Sequence, residues 1–374
     1  MSVYKGSIAQ KNVQFPIETV VTPINGENFA RGMVFIPVSL AETYLPGITS
    51  PAAGNLYELS GSNYAALAGG QLKSVLVPFF TAASAAKFGV AVYDDGSEAE
   101  TNLIADVYQK FKYYAYFKFA MAAAGDINEL QVTLTGLCNT DPSCSAHWVG
   151  TSDTNVLTSS SALITALQGA GSNARVIYNP DTTIDPAIAQ LGNTLAVVNG
   201  TGTPVGNSVD MAQFSTIKAS GALNAEGGRE NLTALDVTAL DGQKIGYQTW
   251  VGDRTENVVT EGSLTLKGDS VGANWVKAYI EYMCKVRTAT YISQRNRFRN
   301  NDTYQGIKLI LSDVVGQFIN TGRLADFRIT APAFRDLPAS GDTITVPNAW
   351  RATYVDDVRE VTVYGTLYIT KATR

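Results

Sequence analysis

Histidine is almost missing from this sequence: there is one, His147, in 374 residues. Any mechanism built on an imidazole base, and any histidine-rich metal site, therefore rests on that single side chain. Cysteine is nearly as scarce, and with Cys138, Cys144 and Cys284 as the complete set a disulfide framework does not hold the fold together. Charged residues make up 16% of the chain, against roughly 25% in an average globular protein. The surface is left to Thr, Ser, Asn, Gly, Ala and Tyr. Such a surface suits a subunit packed against copies of itself, since self-repulsion is small and polar side chains pair readily across contacts. What charge there is leans acidic, with 33 Asp and Glu against 28 Lys and Arg for a net −5. That balance argues against nucleic acid as the main partner. No apolar run approaches the roughly 18 residues of a membrane span, and residues 1–18 lack the basic and apolar regions of a signal peptide. The expectation is synthesis in the cytosol without membrane insertion. The Asn-x-Ser/Thr triplets at Asn199, Asn231 and Asn301 then carry no meaning.

The length points to roughly two to three domains, one of them inserted into another. Residues 1–30 have no helical period; a short apolar alternation around Val13, Phe15 and Ile17, broken by Pro16 and Pro23, reads as an extended arm. A strand is expected at 32–40, followed by a Pro/Gly/Ser-rich loop at 46–55. From 57 to 245 helices alternate with short apolar strands, the signature of an α/β layer. Strands are expected at 74–80, 88–93, 114–122 and 175–178, and helices at 101–110, 126–137, 160–168 and 186–191. The Gly/Asn/Ser/Thr-rich stretch 198–230 is expected to form long loops. Two stronger helices follow. The first, 275–286, places Trp275, Tyr279, Tyr282, Met283 and Val286 on one stripe; the second, 303–321, repeats Ile307, Ile310, Leu311, Val314, Val315, Phe318 and Ile319 at i, i+3, i+4. Asp302 with Gln305 resembles a capping box for the second, and Gly322 follows its last periodic residue. At 359–371, Val361, Val363, Leu367 and Ile369 alternate with Thr362, Tyr364, Thr366 and Tyr368, a period-two strand with one apolar face. No fixed-period repeat is present, which excludes a solenoid.

Few constellations carry chemistry. Cys138, Cys144 and His147 offer three soft ligands in ten residues, but the C-x5-C-x2-H spacing fits no usual zinc template and lacks a fourth ligand, so no metal or other cofactor is expected. A thiolate–imidazole pair drawn from Cys144 and His147 has only sequence proximity behind it. Gly200, Gly202 and Gly206 are wrongly spaced for a dinucleotide fingerprint, and Pro204 interrupts the turn. Asp94/Asp95 and Asp356/Asp357 are adjacent pairs that point opposite ways in extended chain and read as turn residues. No catalytic set is expected. The charge feature that stands out is Lys285, Arg287, Arg295, Arg297 and Arg299, five basic residues in fifteen without an acid between them. It is either a solvated loop between the two helices or a surface that meets an acidic partner.

The order of the last third is informative: a Thr/Gly strand region at 256–267, the helix WVKAYIEYMCKV, the long helix TYQGIKLILSDVVGQFINTG, then FRIT and VREVTVYGTLYITK. This resembles the C-terminal assembly domain of contractile phage tail sheath proteins, in which a Gly-rich strand leads into a helix near a Trp, a second helix ends at a Gly, and two β segments follow. YELSGSNYAAL, LKSVLVPFF and FGVAVYD are similar to the inserted α/β domain of shorter myophage sheaths. The resemblance implies a mixed α/β fold: an arm at 1–30, an assembly domain of two helices on a sheet at 31–56 and 246–374, and an inserted α/β domain at 57–245. It also implies a function. Sheath subunits polymerise as stacked hexameric rings around a tail tube, between baseplate and terminator proteins, and contract to drive the tube through the host envelope. Extended arms add strands to neighbouring subunits. Here the arm residues implied are Val3, Tyr4, Val13 and Phe15, with Val361, Val363, Leu367 and Ile369 either donated or kept in the subunit's own sheet. By the same analogy the basic cluster faces the tube. Other virion roles (tube, baseplate, capsid-associated) and an α/β enzyme are the alternatives; tube proteins are smaller and more purely β.

Overall fold

The computed structural model describes residues 31–45, 53–62, 64–67, 70–84, 86–94, 115–127, 129–140, 146–196, 212–214, 217–223, 225, 228–250, 258–262, 264–293, 300–320, 323–337 and 350–354. The first strand, β1 (Arg31–Pro37), explains the architecture around it. Met33, Val34, Phe35 and Ile36 are all buried, so both faces of the strand are covered. Val34 and Ile36 join one apolar cluster, Met33 and Phe35 another. β1 pairs in parallel with β3 (Lys87–Tyr93) on one side and β4 (Ala115–Lys118) on the other. Parallel pairing continues through β5 (Ala146–Thr151), β6 (Ala174–Tyr178) and β8 (Gly246–Trp250). The sheet is finished by antiparallel strands, β2 (Leu56–Ser60) beside β3, and β9 (Val258–Glu261) then β7 (Ala212–Phe214) beyond β8. The result is one nine-stranded, mostly parallel sheet in the order β2-β3-β1-β4-β5-β6-β8-β9-β7. The mixed α/β fold expected from the sequence is present. The sheet runs across both boundaries expected for the inserted domain, at 56/57 and 245/246.

Helices cover both faces. Against one lie α2 (Gln71–Ala82) and α5 (Pro186–Ala196), whose Leu72, Leu76, Phe79, Ile188 and Leu191 pack with Val34, Phe88 and Phe117. Against the other lie α3 (Glu129–Thr140), α4 (Ala162–Gly169) and α6 (Ala234–Gln243). α2 replaces the strand expected at 74–80. Its buried residues Leu72, Val75, Leu76, Phe79 and Phe80 recur at i, i+3, i+4, i+7, i+8, while Ser74 and Val77 are exposed, a phase that only a helix produces. The strand expected at 32–40 stops at Pro37, whose extended backbone starts the short helix α1 (Val38–Tyr44). The strand expected at 114–122 is only Ala115–Lys118 plus a bridge from Ala122 to Thr151, because Ala120 turns the backbone to φ +67° between them. Where long loops are expected, within 198–230, the short strand β7 is present. α6 is unanticipated, yet Thr233 and Asp236 mark its start with reciprocal side-chain bonds. The helix expected at 101–110 lies outside the described residues.

Arg175 ties the layers together. It sits on β6 with no exposed surface and donates to the carbonyls of Gly262 and Leu264 and to Gln190 Oε1 of α5. Burying a guanidinium is costly unless its N–H groups find acceptors, and here the two terminal nitrogens bond two backbone carbonyls and the Gln190 amide oxygen. The contact pins the chain between β9 and the next helix to the middle of the sheet. That helix, α7 (Val271–Ser293), and α8 (Asn301–Asn320) form an antiparallel hairpin. Tyr279 packs on Phe318 at 5.6 Å, and Val276, Ile280, Cys284, Leu311 and Val314 belong to the same apolar cluster as Phe79 and Phe88. The expected stripe on α7 is shifted: Val276, Tyr279, Ile280 and Cys284 are buried, and Val286 is 40% exposed. On α8 the cap is also shifted. Asn300 Oδ1 accepts from Thr303 N at 2.9 Å, and Gln305 reaches Asn301 at 3.2 Å, in place of the Asp302–Gln305 box. Ile319, expected on the buried stripe, is 36% exposed.

Candidate assembly surfaces

Just before β10 (Leu324–Ile329), Arg323 N donates to Phe318 O of α8 at 2.9 Å. β10 pairs antiparallel with β11 (Trp350–Tyr354), and the two form a separate two-stranded sheet. Leu324 is buried in the cluster that contains α7 and α8, and Phe327, Trp350 and Ala352 pack against it. Tyr304 fixes the far end, donating its hydroxyl to Pro332 O at 2.7 Å and facing Phe334 at 5.9 Å. Two strands alone are a marginal ladder, and helix packing supplies their stability. Among the described residues each strand has one neighbour, so each leaves one edge of backbone N–H and C=O groups open.

The ladder is irregular. Ala325 pairs with Thr353 and Arg328 with Arg351, so β10 spends one more residue than β11 over the same stretch. Asp326, at φ +52°, is in the left-handed region that non-glycine residues enter at a cost of roughly 1 kcal/mol. Alternation from Ala325 without the extra residue would turn Arg328 inward. With it, Asp326, Arg328, Arg351 and Thr353 are exposed while Leu324, Phe327 and Trp350 face the helices.

The residues singled out by sequence are placed as follows. Val3, Tyr4, Val13, Phe15, Val361, Val363, Leu367 and Ile369 lie outside the described residues, as do Arg295, Arg297 and Arg299. Lys285 and Arg287 lie on the last turns of α7. Arg287 forms an ion pair with Asp313 of α8, so one member of the basic cluster meets a carboxylate within the chain. Cys144 lies outside the described residues, and Cys138 is buried on α3. His147, wholly buried on β5, faces Thr135 of α3 with Nδ1 3.0 Å from Oγ1. The Thr135 hydroxyl proton is committed to Gln131 O at 2.8 Å, so the imidazole donates through Nδ1–H and keeps its lone pair on Nε2. This is a helix-to-strand tie.

Burial pushes the His147 pKa from 6.5 down to about 3, with Lys118 adding in the same direction. An unfolded chain binds this proton between pH 6.5 and about 3 where the folded chain does not, so stability falls as pH drops through that window, by on the order of 5 kcal/mol when complete. Asp185, buried at the start of α5, works oppositely. Burial raises its carboxyl from 3.8 to about 6 despite bonds from the N–H groups of Ala187 and Ile188. Its stabilising contribution is present below pH 3.8 and is lost as pH rises through 6. Between pH 4 and 6 the two slopes offset. In His147→Leu, urea midpoints are expected to lose the acid-side fall and to decline from pH 4 to 6 instead.

An α/β enzyme would need convergent ionisable groups in a cleft. A surface depression of about 340 Å³ is lined by Ile127, Glu129, Val132 and Thr133. Among the described residues no three His, Cys, Asp or Glu side chains lie together in a way that could hold a metal ion. The buried Ser161–Asp153 contact of 2.6 Å is a capping arrangement: Asp153 accepts from Asn155 N, and Ser161 accepts from Ile164 N at the start of α4. No helix among the described residues is long and apolar enough to cross a membrane.

No family model matches the chain, and no curated protein matches it in sequence. Solved structures do match in shape. A chain of the cryo-EM structure of the anti-feeding prophage baseplate, 6-fold symmetrised, superposes with a TM-score of 0.61 over 96% of this chain and 100% of its own length, at 12% identity. A chain of an extracellular contractile injection system, the PVC sheath complex in its contracted state, gives 0.58 over 95% and 98%, at 13% identity. The chain has the fold of contractile-injection-system components. The similarity runs along nearly the whole length, so the contractile-system fold comprises the nine-stranded sheet, the α7–α8 hairpin and the small ladder together. The paired Arg328 and Arg351 are the feature that sequence reading missed; FRIT was legible as a β segment, but the bulge that aims Arg328 outward follows from the register with β11.

Proposed function

We propose that this chain is the sheath subunit of a contractile tail, polymerising as stacked hexameric rings around a tube and contracting to drive that tube through the host envelope. It would work as part of a virion tail, with tube, baseplate and terminator proteins as partners. The observation that carries the reading is the β10–β11 ladder, a two-stranded sheet held on a helical hairpin with both edges open among the described residues. Edges of this kind accept added strands, and segment 361–369, with its period-two apolar alternation, and the N-terminal arm, with its short alternation around Val13, Phe15 and Ile17, are the candidates to supply them from neighbouring copies. The domain scheme proposed with it is an arm at 1–30, an inserted α/β domain at 57–245 and an assembly domain at 31–56 and 246–374, the last two sharing the nine-stranded sheet. The match to a baseplate structure favours a second reading, a single ring at the base of the tail.

Electron microscopy of the purified protein separates these. Open-ended tubes are expected for a sheath subunit and closed single rings for a baseplate ring; a compact monomer at high concentration overturns both. Removing residues 1–17 is expected to abolish the tubes while leaving the circular dichroism spectrum and melting midpoint of the protomer unchanged.

A further inference from the structure

The outer face of the β10–β11 ladder places Arg328 directly opposite Arg351. Like charges at directly opposed positions repel, so this pair works against the ladder that carries it. Both side chains are exposed, and among the described residues neither makes an ion pair. The repulsion is also constructed, because only the extra residue at the bulge brings Arg328 onto the face of Arg351, through a left-handed backbone at Asp326. The bulge serves the protomer by seating Phe327 against the helices, but the arginine pair it leaves opposed on the outer face gives the isolated protomer nothing. It has a use where carboxylates from outside lie over both guanidinium groups, since Arg binds carboxylate in a planar two-pronged contact.

We propose that this face docks on carboxylates of a second copy of this chain. Charge complementarity favours this occupant: with 33 acidic against 28 basic residues, each copy carries a net charge of −5 and an excess of carboxylates over cations. The proposal rests on the assembly reading above and adds to it. Strand addition uses the edges of the ladder, whereas this contact uses its outer face and depends on charge. Copies therefore engage through two separable contacts, one insensitive to salt and one weakened by it.

The test is the double variant Arg328→Gln, Arg351→Gln beside Arg328→Lys, Arg351→Lys and the wild type. Each is measured for its critical concentration of polymerisation from 50 to 500 mM salt, and for its melting midpoint below that concentration. The glutamine variant is expected to melt at or above the wild-type temperature, to need at least tenfold more protein to polymerise, and to lose most of the salt dependence; the lysine variant recovers much of the assembly. Polymerisation of the glutamine variant at the wild-type concentration with the wild-type salt dependence overturns the proposal. So does a lowered melting midpoint, which would make the arginines part of the protomer's own stability. Unchanged self-assembly with lost binding to immobilised polyglutamate would assign the face to a different acidic macromolecule and overturn the second copy as occupant. A wild-type protein that never polymerises is a different result, since it defeats the assembly reading itself.

Discussion

Replacing Arg175 with methionine is expected to lower the unfolding free energy by roughly 4 kcal/mol, read as a drop in urea midpoint with an unchanged slope. Methionine fills much of the same volume, so the cost is electrostatic. Gln190, which is fully buried, and the half-buried carbonyls of Gly262 and Leu264 lose their guanidinium partner together, and an abandoned acceptor costs about 1–3 kcal/mol where it is buried. The loss should also have a direction. The residues released lie between β9 and α7, so hydrogen exchange is expected to rise first around 262–264 and at the start of α7 while β1 and β3 stay protected.

Gly192→Val should be nearly as damaging for a different reason. A Cβ at position 192 would lie 2.7 Å from Phe79 Cα and 2.8 Å from Phe79 O, backbone atoms that cannot rotate away. α2 and α5 would have to separate where both lie against the sheet, at a cost of about 3 kcal/mol. Gly316, inside α8, gives the opposite sign. A Cβ there meets nothing within 4 Å, so Gly316→Ala should raise stability by about 0.5–1 kcal/mol through the unfolded chain's lost freedom. The two variants together test whether close helix approach, and not glycine content as such, is what the hairpin and sheet layers depend on.

How much of this was legible depended on whether the signal was local. β3 and β6 are short runs of buried β-branched and aromatic residues, and they sit within a residue of where the sequence places them. α8 is equally plain because its apolar period extends over several turns. LKSVLVPFF was misread because a nine-residue apolar stretch is consistent with either period, and the deciding facts, the exposure of Ser74 and Val77 and the seat of Phe79 against Gly192, are tertiary. The cap on α8 moved from Asp302 to Asn300 because both residue types cap well and only the hydrogen bond to Thr303 N distinguishes them. For the candidate surfaces, the hairpin and the FRIT segment were readable from element order. Arg287 looked like an unpaired cation until the antiparallel packing of α7 and α8 brought Asp313 beside it. The opposed arginines needed a register, which no property of either strand alone specifies.

The position of β1 has a consequence for synthesis. It is the earliest described strand, yet its partners are β3, ending at Tyr93, and β4, ending at Lys118. A ribosome therefore releases Met33, Val34, Phe35 and Ile36 long before the strands that will flank them exist, at about 5–20 residues per second. During those seconds the nascent chain carries an unshielded apolar segment that is competent to pair with the same segment on a neighbouring polysome. A protein made in many copies on crowded messages meets that hazard most often, so its yield should respond to translation speed and to holdase chaperones well before any defect in the finished fold becomes visible.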